Sequence, residues 1–143
     1  PDADPYTRAN IARTGQVPLG AAEGLAFTAQ RDDTGERLDG RCRYRIVGDT
    51  PTARLWTLSV VDANGRLTPN PTGRLFISSR DIVRDAEGRI DVRVSRTVEP
   101  GNWLPLGTDG AFSLILRFYD TPAASANVLG TMVMPDIKRE GCP

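Results

Sequence analysis

Ala111-Phe112-Ser113-Leu114-Ile115-Leu116-Arg117-Phe118-Tyr119-Asp120 is the stretch that decides the fold class. Phe112, Leu114, Leu116 and Phe118 fall on one side of a period of two, with Ser113, Ile115, Arg117 and Tyr119 on the other. Side chains of an extended strand alternate between its two faces, so one face of this segment belongs in a core. Ile115 among the second set points to partial cover on the far face as well.

The same period recurs upstream. In Arg41 to Val47, Cys42, Tyr44 and Ile46 alternate with Arg41, Arg43 and Arg45, the pattern of a half-buried strand with one wet side. Arg54 to Val61 carries Leu55, Trp56, Leu58, Val60 and Val61 and reads as a central strand. Ile90, Val92 and Val94 alternate with Asp91, Arg93 and Ser95. Leu25 to Gln30, Arg74 to Ser78 and Asp136 to Arg139 supply shorter candidates. Between them lie turn signals: Asp32-Asp33-Thr34-Gly35, Asp39-Gly40, Asp62-Ala63-Asn64-Gly65, Asn70-Pro71-Thr72-Gly73 and Asp85-Ala86-Glu87-Gly88. Pro100-Gly101 interrupts again, and Asn102-Trp103-Leu104-Pro105 reads as a constrained loop.

The start differs. Asp4 suits a helix N-cap, Pro5 the first helical position, and Gly15 a stop, which predicts a short N-terminal helix and then a connector to residue 24. Short strands separated by turns, without helices long enough for repeated βαβ units, predict an all-β fold: an antiparallel β-sandwich, jelly-roll-like, with a short N-terminal helix. A chain of 143 residues fits a single domain, with residues 1–24 as helix and connector and 25–143 as the sandwich.

Composition narrows the chemistry. Basic and acidic residues balance at 18 each, so no net field recruits nucleic acid. No apolar run reaches the roughly 20 residues needed to cross a bilayer. The chain starts at Pro1 rather than Met, so a preceding segment, where any signal peptide or anchor would lie, is expected to have been removed. There is no histidine, which removes the usual general base, the Ser-His and Cys-His pairs and the commonest transition-metal ligand. No cofactor and no metal are expected. Lys138 is the only lysine and no S-x-x-K motif occurs, so a Ser-Lys enzyme has no footing either.

Cys42 and Cys142 are the only thiols. They lack the C-x-x-C spacing of redox or metal pairs and read as a disulfide tying the C-terminal tail to an early strand. Closing a loop of about 100 residues contributes roughly 4–5 kcal/mol in the chain-entropy model. Such a bridge favours an oxidising compartment, hence a periplasmic or envelope-exposed protein. A pair of buried free thiols is the alternative.

From Leu55 onward a set of motifs runs in a definite order: Leu55-Trp56-Thr57-Leu58, Asp62-Ala63-Asn64-Gly65, Asn70-Pro71, Ser79-Arg80-Asp81, Asp85-Ala86-Glu87-Gly88, Gly101-Asn102-Trp103-Leu104-Pro105 and Phe112 to Tyr119. With Asp4-Pro5-Tyr6 and Leu38-Asp39-Gly40 upstream, the series resembles the bacterial domain of unknown function 1214, often found behind a second domain, 1254. The resemblance spans nearly the whole chain and looks like the stand-alone version. It implies a jelly-roll-like sandwich and, since such domains often follow an N-terminal membrane helix, an anchor outside this sequence. It supplies no established catalytic residues.

Several side chains are candidates for a ligand site. Trp103, between Gly101 and Pro105, could offer a flat apolar face to a sugar or ring, with the Asn102 amide giving directional hydrogen bonds; the structural alternative is a packed plug. Arg80 could hold a substrate carboxylate beside Asp81, or the two could serve their own turn. Asn70 and Arg74 invite similar readings, although Asn70 before Pro71 suits turn chemistry. Asp32 with Asp33, and Asp85 with Glu87, lie in polar turns expected to be solvated, which leaves no reason for a raised pKa.

These observations favour a non-catalytic, envelope-exposed module that binds an unknown small molecule, a glycan or a protein partner. A carboxylate and arginine hydrolase or lyase acting on glycans or small acids, and a structural self-assembly domain, are the competing readings.

Overall fold

The computed structural model describes residues 25–50, 53–119 and 133–142; the expected N-terminal helix and connector lie outside them. The described residues form eight strands in chain order: β1 (Leu25–Ala29), β2 (Arg43–Gly48), β3 (Leu55–Asp62), β4 (Phe76–Ser78), β5 (Ile90–Ser95), β6 (Asn102–Pro105), β7 (Phe112–Tyr119) and β8 (Asp136–Gly141). They make two four-stranded sheets, one ordered β1-β7-β3-β4 and the other β6-β5-β2-β8. The expected all-β sandwich is what forms.

Phe112 to Tyr119 forms β7, in the middle of the first sheet. β7 pairs antiparallel with both β1 and β3, so that Leu116 stands between Phe27 and Leu58, and Phe118 between Leu25 and Trp56. Phe112, Leu114, Leu116 and Phe118 are all buried. Tyr44, Ile46, Val92 and Val94 meet them from the second sheet, with the Tyr44 and Phe112 rings edge to face at 5.6 Å. Each such fully buried side chain contributes about 1.5–3 kcal/mol, which outweighs any local preference. On the far face of the first sheet Ile115 is half-buried and Ser113 and Thr28 are buried, as the departure from strict alternation implied.

The turns share one device. At Asp32, Asp62 and Asp85 the side-chain Oδ1 accepts the backbone N–H groups two and four residues on, while the glycine three residues on donates to the aspartate carbonyl. Gly35, Gly65 and Gly88 sit at φ of 89°, 78° and 79°, the left-handed region that closes such a turn. Gly40 has another purpose: a Cβ there would run into the Thr108 carbonyl, where two loops cross.

One expectation fails. Asn102–Pro105 is not a loop but β6, an edge strand running parallel to β5 with Trp103 beside Arg93 and Leu104 beside Val94. A Pro and a preceding Pro-Gly break look hostile to a strand, but Pro105 ends an edge strand where no further ladder donor is required. The connection of residues 96–101 is short for a parallel pair. It suffices because β6 is only four residues long and starts level with Val92.

Cys42, just before β2, and Cys142, just after β8, form a disulfide. The bridge pins β8 as the outer strand of the second sheet. On the outward face of that sheet the arginines are matched by carboxylates, Arg45 with Asp91 at 2.6 Å and with Glu140 at 3.7 Å, and Arg43 and Arg93 with Glu99. This is the solvated strand face that the Arg41-Arg43-Arg45 alternation indicated.

Candidate functional site

Stacking the sheets leaves two flanks, one where β4 lies near β6 and one where β1 lies near β8. Asn70, Arg74, Asn102 and Trp103 gather at the first. Asn102 spends its amide on backbone: Nδ2 donates to the Val83 and Asp91 carbonyls at 2.8 and 3.1 Å, and Oδ1 accepts the Val83 N–H at 2.9 Å. The half-buried Trp103 donates from Nε1 to the Ser95 carbonyl and hydroxyl at 3.2 and 3.1 Å. Neighbouring strand residues point to opposite faces, so Trp103 and Asn102 address different spaces.

The remaining candidates sit in two connections. Asn70 accepts from Thr72 and donates to the Arg74 carbonyl, which completes its turn. Arg74 reaches the Trp103 carbonyl at 3.5 Å. Asp81 accepts the Ser78 N–H and hydroxyl. Arg80 is exposed, and its guanidinium has no partner among the described residues. The structure thus brings Asn70, Arg74 and Trp103 together, sets Asn102 on the adjacent side of β6, and leaves Arg80 and Asp81 at their own turn.

The second flank holds what the sequence reading missed. A cleft of about 320 Å³ opens between the sheets, floored by Leu58, Leu114 and Leu116 and walled by Phe27, Ile46 and Ile137. Ala29, Met134 and Pro135 stand at its entrance, and the rim is the chain from Gln30 to Asp33 with Gly35. None of Trp103, Asn102, Arg80, Asp81, Asn70 and Arg74 lines it. Two features of the sequence account for the gap. The inward series of β1 runs Leu25, Phe27 and then the small Ala29, and β8 offers one large apolar side chain, Ile137, to a core that needs several. Reading strands for what they lack would have found it.

The rim is tightly built. Asp33 and Ile137 exchange two hydrogen bonds, from Asp33 N–H to the Ile137 carbonyl at 2.9 Å and from Ile137 N–H to Asp33 Oδ1 at 3.0 Å. Asp32 Oδ2 accepts from Arg139 Nε at 2.9 Å, Arg139 donates to the Arg37 carbonyl at 2.7 Å, and its guanidinium lies 5.5 Å from the centre of the Tyr44 ring. The β1–β2 loop is therefore clamped to β8.

Asp32 corrects a further expectation. It is buried, its side chain being 1% exposed, not solvated. Burial by itself would raise its pKa, but hydrogen bonds from the Thr34 hydroxyl and N–H and the Glu36 N–H, with the Arg139 charge, hold it below the ordinary value. Asp39 is lowered to about 2 by its hydrogen bonds from Arg41. The Arg45 partnership lowers Asp91, and backbone hydrogen bonds led by Arg89 lower Asp85. Burial pushes the Tyr44 hydroxyl upward, against the N–H of Asp39 that it accepts. Among the described residues, every carboxyl that departs from its usual range departs towards the ionised form, and no group of carboxylates is arranged to hold a metal.

A family model described as "Protein of unknown function (DUF1214)" matches residues 23–123. The chain belongs to this family. Among solved structures, this DUF1214 chain is similar to the VPA0106 protein from Vibrio parahaemolyticus, with a TM-score of 0.75 and 24% identity over 89% of this chain and 33% of that one. It is also similar to an uncharacterised protein from Burkholderia cenocepacia, with a TM-score of 0.52 and 18% identity over 94% of this chain and 39% of that one. At these identities the likeness concerns the fold. The DUF1214 chain spans between a third and two-fifths of the length of those proteins. No curated protein matches it.

Proposed function

We propose that this DUF1214 domain is a non-catalytic binding module of the cell envelope, and that its ligand enters the apolar cleft between β1 and β8. The observation that carries the reading is a cleft of about 320 Å³ with aliphatic and aromatic walls, within the size range of small-molecule pockets, beside a rim held by paired hydrogen bonds and an ion pair. The Cys42–Cys142 disulfide supports an oxidising, periplasmic or envelope-exposed setting, with membrane attachment, if any, outside the described residues.

The hydrolase or lyase reading has one observation in its favour: Asp32 and Asp33 stand at the cleft mouth. A general acid requires a raised pKa, whereas Asp32 is depressed and both its oxygens are committed to hydrogen bonds. The binding reading needs no such group.

The test is binding of N-phenyl-1-naphthylamine, an uncharged apolar fluorophore, to wild type and to Ala29→Trp, which places an indole at the cleft entrance. Saturable one-site binding weakened at least tenfold by Ala29→Trp, with an unchanged thermal midpoint, is expected. Equal binding by both proteins, or none by wild type, would remove the cleft from consideration.

A further inference from the structure

On the reading that the cleft is the binding site, we infer that it takes the single aliphatic chain, about ten carbons long, of an amphiphile with an uncharged polar head. Three observations lead there. First, the interior makes no polar offer: among the described residues the buried side-chain atoms without a hydrogen-bond partner are Thr28 Oγ1 and Trp56 Nε1, and neither residue lines the cleft. Whatever goes inside leaves water without gaining hydrogen bonds from those walls, so the inserted part must itself be apolar.

Second, the space is narrow. Facing sheets stand about 10 Å apart with their side chains interdigitated, and the cleft runs inward from β1 across β7 to Leu58 on β3. It is a slot roughly one side chain thick, suited to an extended chain. Its 320 Å³, at roughly 30 Å³ per methylene (close to a water's share of liquid volume), accommodates about ten carbons.

Third, among the described residues that line the cleft the charged groups stand at its rim, and with Arg139 their charges balance. Asp32 is neutralised by Arg139, and Arg31 and Asp33 contribute one charge of each sign to the rim. Arg31 already donates to the Gly35 carbonyl, and Asp33 Oδ1 already accepts from Ile137. A rim of this kind gives hydrogen bonds of both kinds but no net field, which suits a hydroxylated head better than a lone carboxylate or ammonium.

The experiment displaces N-phenyl-1-naphthylamine with 1-monoacylglycerols of six to fourteen carbons, below their aggregation concentrations, and with decanoate and decylammonium. Affinity should rise up to about fourfold per added methylene, then level off near ten carbons when the slot is full. Decanoate and decylammonium should not exceed the ten-carbon monoacylglycerol. Affinity that ignores chain length, or climbs unbroken to fourteen carbons, overturns the chain assignment while leaving the cleft as a site; a tenfold preference for either charged head overturns the head assignment. If the fluorophore never binds wild type, the site itself is lost. A mass that doubles with concentration in wild type but not in Ala29→Trp would assign the cleft to a second copy and overturn the amphiphile.

Discussion

The two flanks of the sandwich are finished in opposite ways. At β4 and β6, polar and aromatic side chains turn back on the backbone: Asn102 stitches Val83 to Asp91, Trp103 binds Ser95, and Arg74 reaches over to Trp103. At β1 and β8 the polar groups clamp the rim, and among the described residues an apolar cleft reaches inward across three strands. On the closed flank Asn70, Asn102 and Trp103, which look able to bind, are already bound. The cleft proposed to take a ligand lies where the described strands supply small or few apolar side chains.

The largest expected effect strikes the open flank. Replacing Cys42 and Cys142 by Ser frees the end of β8 and should cost about 4–5 kcal/mol in urea unfolding, with loss of fluorophore binding. A loss under about 1 kcal/mol would show that the Asp32–Arg139 clamp, not the disulfide, retains the strand. On the closed flank, Asn102→Ala leaves the Val83 and Asp91 backbone groups without their partner and should cost about 2 kcal/mol, while fluorophore affinity stays within twofold. Should Asn102→Ala or Trp103→Ala instead weaken ligand binding in a protein that unfolds normally, the assignment of the two flanks would have to be exchanged.

Acid should loosen both flanks. The folded pKa values of Asp32, Asp39, Asp85 and Asp91 lie below their unfolded values. A depressed carboxyl contributes stability that is fully present above the unfolded value, near pH 4, and is lost as pH falls through the folded one, about 2 for Asp39. The urea midpoint should therefore fall between pH 5 and pH 2, and amide protection in β8 should fall with it, because protonating Asp32 removes its ion pair with Arg139. A midpoint unchanged to pH 2 would contradict this. The smallest effect belongs to Arg80: Arg80→Ala should change stability by no more than about 0.5 kcal/mol and leave the cleft untouched.

Much of the fold was legible because strand alternation is a local property. Phe112 to Tyr119 declared a core face, Arg41 to Val47 a wet one, and the Asp-x-x-Gly turns the points of reversal. β6 was not legible: Pro105 and Gly101 are breakers by local rule, and only the presence of β5 alongside makes a strand of them. Asp32 was misjudged for the same reason, since its turn is polar in sequence but buried by Arg139 from 107 residues away.

The sequence by itself determined an all-β domain without imidazole chemistry, with strands, turns and a pair of cysteines in the right places, because period, turn chemistry and residue type are set by neighbours along the chain. Only the tertiary structure decided which strands meet, where the described strands leave a cleft, and which polar groups are already engaged. Those depend on contacts between distant segments, and a cleft is a property of the space between them rather than of any one of them.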